Sequence, residues 1–279
     1  MSAIITLTTD FGLTDTYVAA MKGVILSINP EAKLVDICHS IQPRNIRQAA
    51  FVLSTACPFF PNGTIHTVVI DPGVGTERRA IILRAPSADF VAPDNGVLSY
   101  IIQQSLAEPI ERDAKRRQIK LPPEMEAIAI TKPQFWRSPV SPTFHGRDIF
   151  APVAARLSLG FPPKDFGEAI TLVTMLPFPR PYQAADGSLV GHILHIDSFG
   201  NLITNIKNTD LPQTRQKMTA EVSGHVISGL SHTYADGKGL VALVGSSGYL
   251  EIALKDGSAY AFLNAEVNSE VRIRLGGGQ

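Results

Sequence analysis

The run Thr64-Ile-His-Thr-Val-Val-Ile70 carries no acid, lysine or arginine, and it is closed at once by Asp71-Pro72-Gly73-Val74-Gly75. β-Branched side chains favour a pleated strand, and a run without polar alternation is one buried on both faces. Pro72 lacks a backbone donor and the two glycines allow a sharp turn, so the strand has to stop at Asp71. Ala3 to Thr8, Lys33 to Ile37 and Ala80 to Leu83 read as further strands. Between them, Tyr17 to Ile28 sets Val18, Met21, Ile25 and Ile28 at helical spacing, and Ile46 to Ala56, Val97 to Leu106 and Ile149 to Leu157 read as helices. Alternation of this kind predicts right-handed βαβ units, hence an α/β N-terminal domain with a mostly parallel sheet.

The pattern breaks between Leu106 and Pro142. Glu111 to Lys120 is a charged stretch that reads as a solvated helix face or loop, and the irregular, Pro-rich sequence after it holds the only tryptophan, Trp136, expected as a packing anchor. Met175-Leu-Pro-Phe-Pro-Arg-Pro-Tyr182 is a stiff linker that cannot continue a helix or an inner strand. It divides the chain into expected domains at 1–180 and 188–279. Beyond it come short strand candidates, at Leu189–Ile196, Leu202–Ile206, Met218–Val222, Leu240–Val244, Tyr249–Ala253 and Val271–Leu275. Turn signals at Asp236-Gly-Lys-Gly239 and Lys255-Asp-Gly-Ser258 separate some of them, which predicts a smaller all-β barrel or sandwich as the C-terminal domain.

Composition removes several function classes. Lysine plus arginine equals aspartate plus glutamate at 25 each, so a nucleic-acid surface is not the main business of the chain. Cys38 and Cys57 lie in apolar segments without Cys-x-x-Cys spacing, which gives neither a disulfide framework nor a zinc signal and points to a reducing cytoplasm. The N-terminal residues show no signal-peptide pattern, and no stretch approaches the roughly 18 apolar residues of a membrane span.

Five loops could carry chemistry. Asp71 ends a buried strand, and Arg78 follows seven residues later, a spacing at which the two can pair and orient a reactive water. Thr8-Thr9-Asp10-Phe11-Gly12-Leu13-Thr14-Asp15 follows the first strand; Asp10 is placed to hold a ribose diol, and Asp15 to cap the next helix. Pro93-Asp94-Asn95-Gly96 is a strong turn signal. Pro142-Thr-Phe144-His145-Gly-Arg-Asp148 contains the only histidine in a loop flanked by Gly, Arg and Asp. Asp197-Ser-Phe199-Gly-Asn201 combines a carboxylate, an aromatic ring and an amide, which suits a zwitterionic or heterocyclic ligand and equally suits a plain hairpin. An acidic loop after the first strand also occurs in phosphatases with Asp-x-Asp. Here Asp10-Phe11-Gly12 lacks the second acid, and neither a P-loop nor a GxGxxG is present.

Taken in order, Thr-Asp10-Phe-Gly-x-x-Asp, Asp71-Pro-Gly-Val-Gly-Thr-x-Arg-Arg, Ala-Pro-Asp94-Asn95-Gly, Phe144-His145-Gly-Arg-Asp and Asp197-x-Phe199-Gly-Asn201 resemble the S-adenosyl-L-methionine hydroxide adenosyltransferase family, the DUF62 group. That family is related to enzymes that fluorinate or chlorinate the same substrate, and the resemblance spans about Ile4 to Ala253. It implies cleavage of S-adenosyl-L-methionine to adenosine and L-methionine by hydroxide at C5′, without metal or cofactor. It also implies a homotrimer with the ligand between subunits, and no membrane partner. By the same resemblance, Asp71, Arg78 and His145 are the catalytic residues and Asp10 holds the ribose. The methionine and adenine contacts fall to Asp197, Phe199 and Asn201, and more loosely to Ser246 and Tyr249. Asp94, Asn95 and Phe144, in the same loops, and Tyr17, at the start of the following helix, are further candidate substrate contacts. The halogenating relatives carry other residue types where this chain has Asp71 and His145, which favours hydroxide as nucleophile. A non-catalytic adenosyl-binding protein is the alternative of a different class; it would have no use for the triad.

Overall fold

The computed structural model describes residues 3–106, 117–237 and 239–275. The chain forms two compact units, Met1–Pro177 and Phe178–Gln279. In chain order the first unit contains β1 (Ile4–Thr9), α1 (Tyr17–Ile28), β2 (Lys33–Cys38), α2 (Ile46–Ala56), β3 (Thr64–Val69), β4 (Ala80–Arg84) and β5 (Ala88–Pro93). It continues through α3 (Ser99–Gln103), β6 (Arg117–Lys120), β7 (Glu126–Ile130), α4 (Ala151–Ser158), β8 (Gly167–Ile170) and β9 (Leu172–Met175).

A seven-stranded sheet runs in the order β2-β1-β3-β5-β4-β7-β8. β1 pairs in parallel with β2 and β3, and β3 with β5, while the β5-β4-β7-β8 side is joined by antiparallel pairs. β2, β1, β3, β5 and β7 therefore share one direction, and the sheet is mixed but mostly parallel in strand direction. Both faces are covered, as an uninterrupted apolar β3 requires. On one face Ile5, Leu7, Ile65, Val69, Ile82 and Ile128 pack with Met21 and Ile25 of α1 and Val153 and Leu157 of α4. On the other, Val68, Ile70, Ile81, Leu83 and Phe90 pack with Ala49 and Leu53 of α2 and with Ile101 and Ile102 of α3. The chain thus leaves β1 toward one face and returns to β3 from the other. The β1/β3 boundary is a topological switch point, and in open α/β sheets ligands bind beyond the strand ends there.

The helices predicted at Tyr17–Ile28 and Ile46–Ala56 form as expected. α1 begins from Thr16 rather than from Asp15, and Thr16 makes no side-chain cap bond. α3 is shorter than the predicted Val97–Leu106. β5, β7, β8 and β9 have no counterpart in the sequence reading. Their short, Pro-bounded or mixed runs acquire strand form from cross-strand partners, such as the Arg84–Asp89 pair between β4 and β5 at 2.8 Å. Of the charged stretch, residues 111–116 lie outside the described residues, and Arg117–Lys120 is strand β6 paired with β9, not a helix face or loop. Trp136 packs against the core as expected.

The second unit contains β10 (Tyr182–Gln183), β11 (Leu189–Ile196), β12 (Leu202–Lys207), β13 (Met218–Val222), β14 (His225–Ser228), β15 (Leu240–Val244), β16 (Tyr249–Leu254), α5 (Ala259–Leu263) and β17 (Glu270–Leu275). The strands run β14-β13-β17-β11-β12-β16-β15, with β10 paired to β11, in antiparallel ladders. A bridge between Ser231, just past β14, and Leu243 of β15 brings the two ends of the path together. The result is a nearly closed barrel filled by Ile193, Leu202, Ile206, Met218, Leu250 and Ile252, with Ala259 and Leu263 of α5 packed against them. Closure removes most of the free strand edge that an open antiparallel sheet would expose. Lys238, in the turn at 236–239, and the Gly-Gly-Gly-Gln tail at 276–279 lie outside the described residues.

Candidate active site

Asp71 lies just beyond β3, at the switch point, with its side chain only 5% exposed. Arg78 returns to it through the turn: Nε donates to both carboxylate oxygens at 2.9 Å, and Nη2 to Oδ2. The same Nη2 is 2.7 Å from His145 Nδ1. An arginine is always protonated, so Arg78 donates to both partners, and neutral His145 carries its own proton on Nε2. Burial, and next the positive charge of Arg78, push the His145 pKa below its ordinary value; Asp71 and Asp148 pull the other way and lose. Asp71, Arg78 and His145 are thus one hydrogen-bonded unit, with the arginine in the middle. The Arg78 guanidinium also lies over the Phe150 ring, 5.3 Å from its centre.

Local chemistry puts each residue there. Gly75 has φ +77°, and any Cβ on it would strike the carbonyl oxygen of Pro142, so the Asp71–Arg78 turn can press against the His145 loop only as glycine. That second loop is folded by Asp148, which is fully buried and accepts hydrogen bonds from Arg147, Arg137 and the Ser141 N–H. Burial alone would raise the Asp148 pKa, but these donors, Arg147 first, hold it below the carboxylate range. Gly146–Phe150 forms a wide, π-type turn before α4. Pro152 has no N–H to give to the Asp148 carbonyl, which accepts from Arg137 N–H at 2.8 Å instead. Wide turns of this kind recur at functional sites.

The Asp10 loop meets the His145 loop through three rings. Phe11, Tyr17 and Phe144 lie 5.2–5.8 Å apart, centre to centre, two of the pairs edge-on. Asp10 is half-buried, and its Oδ2 accepts the Arg44 N–H at 2.8 Å. Asp94 and Asn95 are engaged inside the protein. Asp94 pairs with Arg79 and accepts the Thr174 N–H at 2.7 Å. Asn95 donates to the Ile70 carbonyl at 2.8 Å, directly behind Asp71. A cavity of about 400 Å³ opens beside the pair, lined by Asp71, Gly73, Thr76, Arg78, Asp94 and Arg117 among others, within the size range of small-molecule sites. Among the described residues no group of three or more His, Cys, Asp or Glu side chains is arranged to hold a metal, and no helix is long and apolar enough to cross a membrane. Cys38 and Cys57 are both free.

In the barrel unit, Asp197 closes its own turn. Oδ1 accepts the N–H groups of Phe199 and Asn201, both at 2.9 Å, and Oδ2 the Asn201 amide at 3.0 Å. Gly200, with φ +84°, fits against Ser258, which no side chain could do. Phe199 is left 77% exposed at the tip. Ser246 is exposed in the turn between β15 and β16, and Tyr249 is half-buried at the start of β16, its pKa raised by burial and then by Asp210. Sequence reasoning passed over His39 and Arg44. Neither stands in a motif, and only the fold brings them beside Asp10.

A mixed α/β unit with a charged, hydrogen-bonded cluster at its switch point, followed by an antiparallel barrel, defines a two-unit class of small-molecule protein. The known proteins narrow the class. Residues 5–167 match the SAM hydroxide adenosyltransferase N-terminal domain, and residues 191–272 the C-terminal domain. A Salinispora tropica protein named (R)-S-adenosyl-L-methionine hydrolase is 36% identical over 277 residues, 98% of each chain. A Nocardia brasiliensis fluorinase is 29% identical over 308 residues, covering 98% of this chain and 97% of its own. A solved structure from Thermotoga maritima, of a conserved protein described as uncharacterized, superposes with a TM-score of 0.83 at 32% identity, covering 96% of this chain and 99% of that one. This chain belongs to the SAM hydroxide adenosyltransferase family.

Proposed function

We propose that the chain hydrolyses S-adenosyl-L-methionine to adenosine and L-methionine, with water-derived hydroxide attacking C5′. The observation that carries this reading is Arg78 held between Asp71 and His145 at the switch point. The sulfonium is already a good leaving group, so it requires neither an acid to protonate it nor a Lewis acid. The reaction needs a desolvated water in line with C5′ and sulfur. In our reading the C5′–O bond forms as the C5′–S bond breaks, and the electron pair goes to sulfur as neutral methionine departs. His145 has its Nδ1 lone pair committed to Arg78 and presents Nε2–H, so it orients the water; Asp71 is the anionic group to which the water proton goes. Asp10 holds the ribose hydroxyls. Tyr17 and Phe144 line the nucleoside, and Asp94 and Asn95 shape the loop beneath it. Asp197, Phe199, Asn201, Ser246 and Tyr249 take the methionine and adenine portions, in a cytoplasmic homotrimer whose sites lie between subunits.

The fluorinating relatives raise halide as an alternative nucleophile. An ionised Asp71 repels an anion but accepts a hydrogen bond from water, which favours hydrolysis. The name of the Salinispora relative specifies the (R) sulfonium epimer, and we extend that preference to this chain. Purified protein in EDTA, given each epimer, should release adenosine and methionine, faster from (R). In ¹⁸O water the label should appear at O5′, and added chloride should yield no chlorinated nucleoside. Unchanged substrate, adenine as product or unlabelled adenosine would overturn the reading.

A further inference from the structure

His39 is 4% exposed, belongs to none of the motif loops, and touches the Asp10 loop at two places, Thr9 and Gly12. Its Nδ1 is 2.8 Å from Thr9 Oγ1. Thr9 Oγ1 accepts the Phe11 N–H at 3.3 Å. The His39 carbonyl accepts the Gly12 N–H at 2.8 Å, where Gly12 has φ +69°. On its far side, His39 Nε2 stands 3.1 Å from Asp36 Oδ1, and the other oxygen of Asp36 accepts from Lys22 at 2.6 Å. A β-bulge makes this possible. Leu7 pairs with Asp36 but Thr8 with Cys38, so Ile37 is an extra residue that carries His39 level with Thr9.

With a single ring proton on His39, the contacts admit one arrangement. Asp36, beside Lys22, is a carboxylate, and a bare imidazole lone pair would be repelled by it, so Nε2 carries the ring proton. Nδ1 then accepts the Thr9 hydroxyl proton, and the hydroxyl oxygen is free to accept from Phe11. The Phe11 and Gly12 amides are held from the His39 side, while the Arg44 N–H holds Asp10 Oδ2 from the other at 2.8 Å.

We propose that His39 is a positioning residue for nucleoside binding: through Thr9 and its own carbonyl it sets the Asp10–Gly12 loop in the conformation that presents Asp10 to the ribose. The proposal rests on the reading of Asp10 as the ribose ligand. It separates from a general structural role, because a structural role would lower the melting temperature without selecting substrate affinity over turnover.

The test measures adenosine binding by calorimetry and S-adenosyl-L-methionine turnover on the full-length protein. His39→Ala and the isosteric Thr9→Val should each weaken adenosine and raise KM by about three- to tenfold, with kcat within about twofold, the scale of one lost hydrogen bond in a positioned loop. His39→Asn, which keeps an acceptor near the Nδ1 position, and Thr9→Ser should stay within about twofold of the parent protein. Should His39→Ala fail to fold, Thr9→Val decides, since it removes only the hydroxyl. Unchanged affinity in Thr9→Val, or His39→Asn as impaired as His39→Ala, overturns the proposal. Asp10→Ala is the control for the underlying reading. If it leaves adenosine affinity intact, the ribose assignment itself is wrong; if it weakens binding while the His39 and Thr9 variants do not, only the positioning role is.

Discussion

Arg78 faces a carboxylate on one side and an imidazole on the other, and its charge helps hold the imidazole neutral. In the proposed mechanism that arrangement divides chemistry from binding at the level of single residues. Asp71→Asn and His145→Ala should each lower kcat by about 10²-fold or more, the scale of losing a group that activates or orients a nucleophile, with little change in KM. Asp10→Ala should raise KM instead, by removing a charge-assisted contact; steady-state kinetics on the three variants separates these outcomes. The depressed His145 pKa gives a signed pH dependence. Protonation would remove the acceptor for Arg78 and place a second cation beside it. Activity should therefore hold down through about pH 6.5, the ordinary histidine value, and fall only below it. The stability linkage has the same sign. Below about 6.5 the unfolded chain takes up the proton before the folded one does, so acidification through that window destabilises. A pH–kcat profile in which His145→Gln keeps the same acid limb would assign that limb to another group.

Three loops at the ends of β1 and β3 and before α4 act together because glycines let them touch. Gly75 and Gly63 give a matched pair. Both have positive φ, +77° and +82°, but a Cβ on Gly75 would meet Pro142 whereas one on Gly63 would meet nothing within 4 Å. Gly63→Ala should lose about 1 kcal/mol of stability from backbone strain alone. Gly75→Ala should lose more, and should also lower kcat about tenfold or more, because the clash drives Asp71 and Arg78 off the His145 loop. Chemical denaturation together with turnover distinguishes the two; equal stability loss with full activity in Gly75→Ala would show that the loops tolerate separation. At this scale the sequence was legible wherever the signal was local. α1 and α2 follow from apolar spacing, and β3 from its unbroken run. β7 and β8 escaped because their form comes from partners tens of residues away, and β5 because its short, Pro-ended run is shaped by its pairing with β4 and β3.

At the scale of the whole molecule, the Asp10 loop and the Asp197–Asn201 turn belong to different units, Met1–Pro177 and Phe178–Gln279. Phe199, 77% exposed at the tip of its turn, is what an aromatic contact donated to another subunit would look like. We expect a trimer by analytical ultracentrifugation and shared sites. Mixing an inactive Asp71→Asn chain with an inactive Asn201→Ala chain, under conditions that allow subunit exchange, should recover part of the activity. Some interfaces then pair an intact triad with an intact Asn201. Exchange without recovery would place each complete site within one chain.

The sequence alone determined the segments and the chemistry-bearing loops. Helical period, strand composition and turn residues act over a few neighbouring positions, and five motifs in order were enough to indicate the family. The tertiary structure alone decided what those loops touch. Asp71 and Arg78 are seven residues apart and could be paired on paper, but His145 reaches Arg78 across 67 positions, and His39 reaches Thr9 across a bulge that no local pattern announces. Strand order and register are settled by which apolar faces can be covered at once, a property of the packed molecule and of no single segment. The same packing makes Arg78 the centre of the cluster and leaves His145 neutral.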